Sequence, residues 1–585
     1  MHECDLIMKG GVTSGVAYPG AIAKLAERYR LRSIGGTSAG AIAAVLAAAA
    51  EYRRQHAIER GDGDAHAGFV SLERIGPMLA QDLASLFQPV PALRPLYRTL
   101  LVVAQAPPGQ RLAGAVRGVV TSWKIPILLA LVPGFVCLTS TDGLADVIAA
   151  LFLLLILPVM VVAGHVAWLV SRVLPRHDFG LCTGKTTAAG RALDKKAFTD
   201  WIHERIESVA GDRAEPGPLT VGDLATYDIR VASMTTDLSS GRPWQLPLRA
   251  GVHHFSLAEF QLLFPADVIA WLVTKGGRSG RDSVVGGPTD LHRLPDESDL
   301  PLVLIARLSL SFPGLVSAVP LYRADTGQME GGDPVAPLRR CLFSDGGISS
   351  NFPVHFFDGF LPSRPTFGIG FAAHDDTRHG PDDADRVHLP IAPLAQGGRV
   401  RSIDGIADFF GAIVNTAKDW QDTLQSRLAG YSERIVEIRL DPETEGGLHV
   451  EMDGPTIDRL VRLGRLAAER IERDFDFDEH RLRRALVLFA TLEDALIGLA
   501  KAYPGTGESG IDYEHVLRQH RSPYFHESAE WREDPLAAFA GELMQMGKRA
   551  EDLREDASRR SIGDGRLPPR DADLRLVASP DTSLP

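Results

Sequence analysis

The sequence predicts an α/β fold, and three observations carry that expectation. Asp5-Leu6-Ile7-Met8 is a short apolar run that stops at Gly10-Gly11, as a parallel strand buried on both faces does. A second run, Leu31-Arg32-Ser33-Ile34, leads through Gly36-Thr37-Ser38-Ala39-Gly40 into an alanine-rich stretch over 41–50, a strong helix former. Between the two, Pro19 opens a helical pattern that continues through Ile22 and Leu25. Strand, glycine loop and helix thus follow one another twice, the rhythm of βα units.

With 585 residues the chain has room for several domains or one large α/β domain. Its 45% hydrophobic and 23% charged residues are those of an ordinary globular protein. A formal net charge of −12, with no Lys/Arg-rich run, argues against a nucleic-acid partner. Cys4, Cys137, Cys182 and Cys341 have no paired spacing, so they read as free thiols in a reducing compartment, without a disulfide framework or zinc site. No cofactor or metal is expected. Met1-His2-Glu3-Cys4-Asp5 has no basic or apolar leader pattern, which keeps the first domain cytoplasmic.

The first loop, Gly10-Gly11-Val12-Thr13-Ser14-Gly15, has the look of a phosphate cradle. It lacks both the Gly-Lys-Ser/Thr ending of a P-loop and the third glycine of a dinucleotide fingerprint. Backbone N–H groups there suit an oxyanion instead, and a plain structural turn is the alternative. Gly36-Thr37-Ser38-Ala39-Gly40 has the pattern of a nucleophile elbow, in which a sharp strand-to-helix turn lifts Ser38 clear of the backbone. Glycine on both sides removes a Cβ that would crowd the turn. The same five residues also fit an ordinary glycine-rich turn.

Residues 51–120 carry mixed helical patterns with proline joints, and then charge disappears over 125–138 and 147–170. The second stretch exceeds the ~20 residues that cross a bilayer core as a helix. The first is shorter and is expected to break at Pro126 and Pro133-Gly134, so that it re-enters or forms half of a hairpin. Arg111, Arg117 and Lys124 precede the pair and Arg172, Arg176 and Lys185 follow it, while Asp142 and Asp146 mark the connection. That asymmetry fits a membrane hairpin with both ends cytoplasmic, at a bacterial inner membrane. An apolar lid or buried helix pair is the competing reading.

Globular patterning resumes near Phe179. Strands are expected at 229–234, 342–345, 365–371 and 434–440, and a helix at 302–310. Helices are expected at 403–428, 456–475, 479–502 and 535–556. The expected division is a domain over 1–120 and 177–390, interrupted by a hairpin over 121–176. A mainly helical region follows over 391–556, its helices suited to a protein partner or a second copy, with a disordered tail over 557–585.

Ser38 needs a base. In an α/β-hydrolase a histidine would follow the acid, and His355, His374, His379 and His388 qualify by order alone. Asp345 ends an apolar run and is followed by Gly346-Gly347, so its carboxylate can stand exposed at a strand end. A partly desolvated carboxylate can serve as a general base, and an Asp that caps a turn looks the same in sequence.

Taken together, these motifs resemble the patatin-like phospholipase family. They are the glycine loop, Gly36–Gly40, Leu219-Thr220-Val221-Gly222-Asp223-Leu224, Thr235–Gly241, Ser309-Leu310-Ser311-Phe312-Pro313-Gly314, and Asp345-Gly346-Gly347 continuing to Asn351-Phe352-Pro353. The resemblance covers about 4–52 and 179–372. It implies a three-layer α/β/α domain with a mainly parallel sheet and a Ser–Asp dyad without histidine. Ser38 is then the nucleophile, Asp345 its general base, and the amides of Gly10, Gly11 and Val12 line the oxyanion hole. The family loop usually carries a third glycine and an Arg or Lys, where this chain has Val12 and Ser14. The implied activity is that of a serine lipid acyl hydrolase on membrane lipids. A membrane-anchored signalling or scaffold protein with a gated patatin-like domain is the alternative.

Overall fold

The computed structural model describes residues 1–11, 13–61, 63–105, 110–139, 143–213, 216–278, 288–325, 338–375, 379–380, 382–390, 430–441, 444–446, 452–503 and 536–556, with isolated positions at 403–416 and 513–516. The expected helix at 403–428 and the tail at 557–585 lie largely or wholly outside them. Thirteen strands are described: β1 (His2–Met8), β2 (Tyr29–Gly36), β3 (Gly180–Cys182), β4 (Arg230–Asp237), β5 (Arg242–Leu246), β6 (His254–Ser256), β7 (Leu291–Arg293), β8 (Gly314–Val316), β9 (Val319–Ala324), β10 (Leu338–Asp345), β11 (Thr366–Ala373), β12 (Val387–His388) and β13 (Ile435–Leu440). Eleven form one sheet in the order β12-β13-β11-β1-β2-β4-β10-β9-β6-β7, with β5 paired to β4, while β3 and β8 pair separately.

The α/β class holds, and the parallel character holds in part. The run β13-β11-β1-β2-β4 is parallel throughout. Beyond β4, strands β10, β9, β6 and β7 add antiparallel, as do β5 and the edge strand β12. Parallel neighbours need a crossover helix, and α1 (Tyr18–Arg28) and α2 (Ala39–Arg60) supply the first two. The antiparallel wing is built of strands too short for a strong alternation signal, such as His254–Ser256 and Leu291–Arg293.

Alternation along β1 divides the core. Leu6 and Met8 face a large cluster with α1, α2 and the later helix Gly454–Asp474, whereas Ile7 faces Phe352, Val354 and Ile435 on the other side. The boundary expected at 390 does not separate two bodies. β13 pairs in parallel with β11, and Ile457, Leu460 and Leu463 of the helix Gly454–Asp474 are fully buried.

The two charge-free stretches form the packed helices Lys124–Thr139 and Leu144–Trp168. Helical structure from Leu144 to His177, with a hydropathy of 2.9 over its most apolar window, gives one helix long and apolar enough to cross a membrane. The expected break at Pro126 and Pro133 is not where the chain bends. Lys124–Thr139 runs through both prolines, and a 79° bend lies ahead of it, between Ser122 and Lys124. Pro126 sits in the first turn, where a missing N–H costs no intrahelical bond. Trp123 occupies the bend, buried, and donates its indole N–H to His165 Nδ1 of the long helix at 3.1 Å.

Candidate active site

Ser38 sits between the end of β2 and the start of α2 with φ 57° and ψ −125°. For a residue with a Cβ this is strained backbone, costing on the order of 1–3 kcal/mol, and it persists only where the surroundings enforce it. The flanking glycines are needed for close approach. A Cβ on Gly36 would lie 2.6 Å from the Gly40 carbonyl carbon, and one on Gly40 would strike the Met8 carbonyl oxygen. The turn therefore folds tightly onto the end of β1.

Buried hydroxyls fix it from below. Ser38 N–H donates to Ser309 Oγ at 3.0 Å, and Ser233 Oγ donates to the Gly36 carbonyl at 2.7 Å. Ser233 comes from β4 and Ser309 ends the helix Leu302–Ser309, whose eight residues are all buried against β4, β10 and α2. Arg307 of that helix donates to the Ser317 and Thr183 carbonyls at 2.7 and 3.2 Å. Burial pushes its guanidinium down to about 9, against the pull of Asp178, so it stays cationic at neutral pH.

Asp345 is reached by sheet register. β4 lies between β2 and β10, with Gly36 opposite Ser233 and Asp345 opposite Thr235. The serine turn and the acid thus leave the sheet from strands on either side of β4, two residues apart along it. Asp345 Oδ1 accepts the Gly347 N–H at 2.7 Å, and Asp345 N–H donates to the Ser311 carbonyl at 3.1 Å. Gly346 packs against the elbow itself, because a Cβ there would lie 2.7 Å from Thr37 Cγ2. Ser38 and Asp345 are 3% and 4% exposed, so reacting groups here would be largely shielded from water.

The glycine loop closes the third side. A Cβ on Gly15 would meet Ala39 Cβ at 2.8 Å, and one on Gly10 would meet the Thr37 carbonyl at 3.1 Å. Gly10 departs from expectation, because its N–H is committed to the Asn351 carbonyl at 2.7 Å. The chain that follows Asp345 comes down on Gly10 at that point. Val12 lies outside the described residues. In the first turn of α2, Gly40 and Ala41 N–H donate to the Thr37 and Ser38 carbonyls at 2.9 Å, which leaves Gly11 and the positive end of the α2 dipole as sources of positive potential beside Ser38.

None of the four histidines considered as a base takes a comparable place. His388 lies on β12, four strands from β2, His374 and His379 stack beyond the end of β11, and His355 packs on Phe356. Ser233, Ser309 and Asn351 were not assigned roles from sequence. The last two fall inside the Ser309–Gly314 and Asp345–Pro353 patterns, which was the available signal.

A small apolar cavity of about 70 Å³ is lined by Gly15 and by Ala39, the residue after Ser38, together with Ile42, Leu79, Phe87 and Trp201. A cavity of about 1080 Å³ shares the helix Phe198–Ala210 but is lined by ion-paired side chains such as Glu204, Glu207 and Arg213. It does not include Ser38 or Asp345.

Known proteins resemble this chain in sequence. The patatin-like phospholipase family model matches residues 6–102, which hold the glycine loop and the elbow. A protein of Rhizobium meliloti (strain 1021) described as RpoH suppressor is 33% identical over 567 residues, spanning 85% of this chain and 86% of that protein. Among solved structures, VipD from Legionella pneumophila aligns over 94% of this chain and 86% of its own, at 12% identity and a TM-score of 0.25, too low to argue from. The family model over residues 6–102, together with a relative 33% identical over 567 residues, makes this chain a member of the patatin-like phospholipase family.

Proposed function

We propose that the protein is a serine hydrolase of carboxylic esters in membrane lipids, of the phospholipase A or lysophospholipase type. The observation that carries this reading is the strained, buried turn at Ser38, with Asp345 brought in two residues further along β4 and a small apolar cavity of about 70 Å³ beside Ala39. Ser38 Oγ attacks the ester carbonyl as its proton passes to Asp345. The carbonyl electron pair becomes an oxyanion, for which the N–H groups of Gly11 and of Ala39 at the start of α2 are the donors in this reading. Collapse expels the alcohol, which leaves with the proton from Asp345. Asp345 then takes a proton from water, the hydroxide attacks the acyl-enzyme, and the fatty acid departs as Ser38 is reprotonated.

The apolar helices at 124–139 and 144–168 hold the domain at a bilayer in this reading, on its cytoplasmic side, so that substrate is met at high local concentration. Val159 and Leu155 are 66% and 71% exposed, which suits lipid contact. Arg117, Lys124, Arg172 and Arg176 lie at the outer ends of the pair, where phosphate headgroups would sit.

The second reading is a signalling effector or scaffold whose patatin-like site stays closed until opened. The burial of Ser38 and Asp345 favours it. Assay of the full chain separates the two. An unregulated hydrolase cleaves short-chain p-nitrophenyl esters in solution and long-chain phospholipid in vesicles, each lost in Ser38→Ala. A gated protein cleaves neither until a partner is added. If Ser38→Ala keeps full activity, both readings fail.

A further inference from the structure

We propose that Ser233 and Ser309 act as a pair of positioning residues that hold the nucleophile in its reactive backbone conformation. The inference rests on the reading of Ser38 as the nucleophile. Ser38 is the last residue before α2, so its N–H has no helical acceptor, and it is buried, where an unpaired N–H is strongly disfavoured. Ser309 Oγ is the acceptor it finds, at 3.0 Å. Two residues earlier, the Gly36 carbonyl closes β2 and takes the Ser233 hydroxyl at 2.7 Å. The two hydroxyls are 2.9 Å apart, and neither residue is exposed.

Ser233 Oγ shares its one proton between the Gly36 carbonyl and Ser309 Oγ, and a second Ser309 lone pair accepts from Ser38 N–H. The pair therefore spans both ends of the Gly36-Thr37-Ser38 turn as one connected unit. It resists relaxation of Ser38 out of positive φ, a torsion that only the surroundings can hold. The same two elements hold the acid. Thr235, two residues along β4 from Ser233, has its Oγ1 2.8 Å from the Ser344 carbonyl, and the Ser311 carbonyl, two residues after Ser309, accepts Asp345 N–H at 3.1 Å. Nucleophile and acid are mounted on one frame made of β4 and the end of the helix Leu302–Ser309.

The effect belongs in the rate of acylation, because neither hydroxyl lines the apolar cavity beside Ala39. Steady-state hydrolysis of a p-nitrophenyl ester by Ser233→Ala, Ser309→Ala and the double variant tests this, with labelling of Ser38 by a fluorophosphonate and crystal structures of each protein. Expected are a kcat lower by on the order of 10- to 100-fold with KM within about twofold, and equally slowed labelling. The double variant should be scarcely worse than either single one, Ser309→Thr should recover much of the rate, and Ser38 should leave positive φ in the double variant. Unchanged kcat, additive losses, losses that follow only the folded fraction, or a double variant with Ser38 still near +57° would overturn the proposal. A wild type that neither labels nor cleaves any ester would refute the hydrolase reading, while the Ser38 torsion would still decide the role of the pair.

Discussion

At the scale of single residues the molecule concentrates its unusual features around β4 and its neighbours. Ser38 is strained and fully supported, while His253 is buried with no hydrogen-bond partner for either ring nitrogen among the described residues. His253 sits edge-on between Trp244 and Phe343, at 4.8 and 5.4 Å, and Phe343 is two residues before Asp345 on β10. Burial, with smaller contributions from the charges of Arg323 and His254, pushes its imidazole down to about 3. An unfolded histidine titrates near 6.5. Between those values the unfolded chain binds a proton that the folded chain refuses. The contribution of His253 is therefore complete above about pH 6.5 and declines as pH falls, by about 1.4 kcal/mol per pH unit. Thermal melts at pH 7 and pH 5 should show a smaller acid-side drop for His253→Phe than for wild type. An equal drop in both would show that other groups govern acid stability. At pH 7 the phenyl ring should be neutral or stabilising, because it removes two unpaired nitrogens.

Elements differ in how far the sequence alone reveals them. The two βα units were legible because their signals are local, with an apolar run, a glycine loop and an alanine-rich helix within 50 residues. The antiparallel wing was legible only at the end of β10, since β6 and β7 have three residues each and gain their stability from partners distant in the chain. Gly10 shows the same limit within the site. Its amide is taken by Asn351, more than three hundred positions away, and no local pattern announces that pairing. The apolar helix pair was legible by length and lack of charge, but the bend at Trp123 was not, because it depends on a contact with His165. Replacing Leu155 and Val159 with Arg should cost about 2.5–3.5 kcal/mol per residue if the long helix crosses a bilayer. Membrane fractionation should then find the wild type resistant to alkaline wash and the double variant largely released. A wild type that is released equally well would remove the bilayer from the account.

Across the whole molecule, the sheet joins segments far apart in the chain. The strand expected at 434–440 enters it as β13, between β11 and β12, and the helix Gly454–Asp474 rests on α1. A Cβ on Gly464 would strike the Ala17 carbonyl, so the two helices touch backbone to backbone near the glycine loop. Burial of Ile457, Leu460 and Leu463 stabilises the fold by about 1.5–3 kcal/mol each. A chain ending at 390 should therefore be insoluble or lack cooperative melting, and a folded, active 1–390 fragment would contradict this architecture. Release of activity by removing the C-terminal helices is not expected, because one of them helps build the catalytic domain. The central claim is that Ser38 and Asp345, brought to one end of the sheet by β4, form the machinery of a lipid acyl hydrolase. Its most direct test is mass-spectrometric analysis of phospholipid vesicles after incubation with wild type, Ser38→Ala and Asp345→Asn. The account predicts free fatty acid and lysolipid from the wild type, and rates lower by on the order of 10³-fold or more in both variants. Undiminished product from either variant would contradict it.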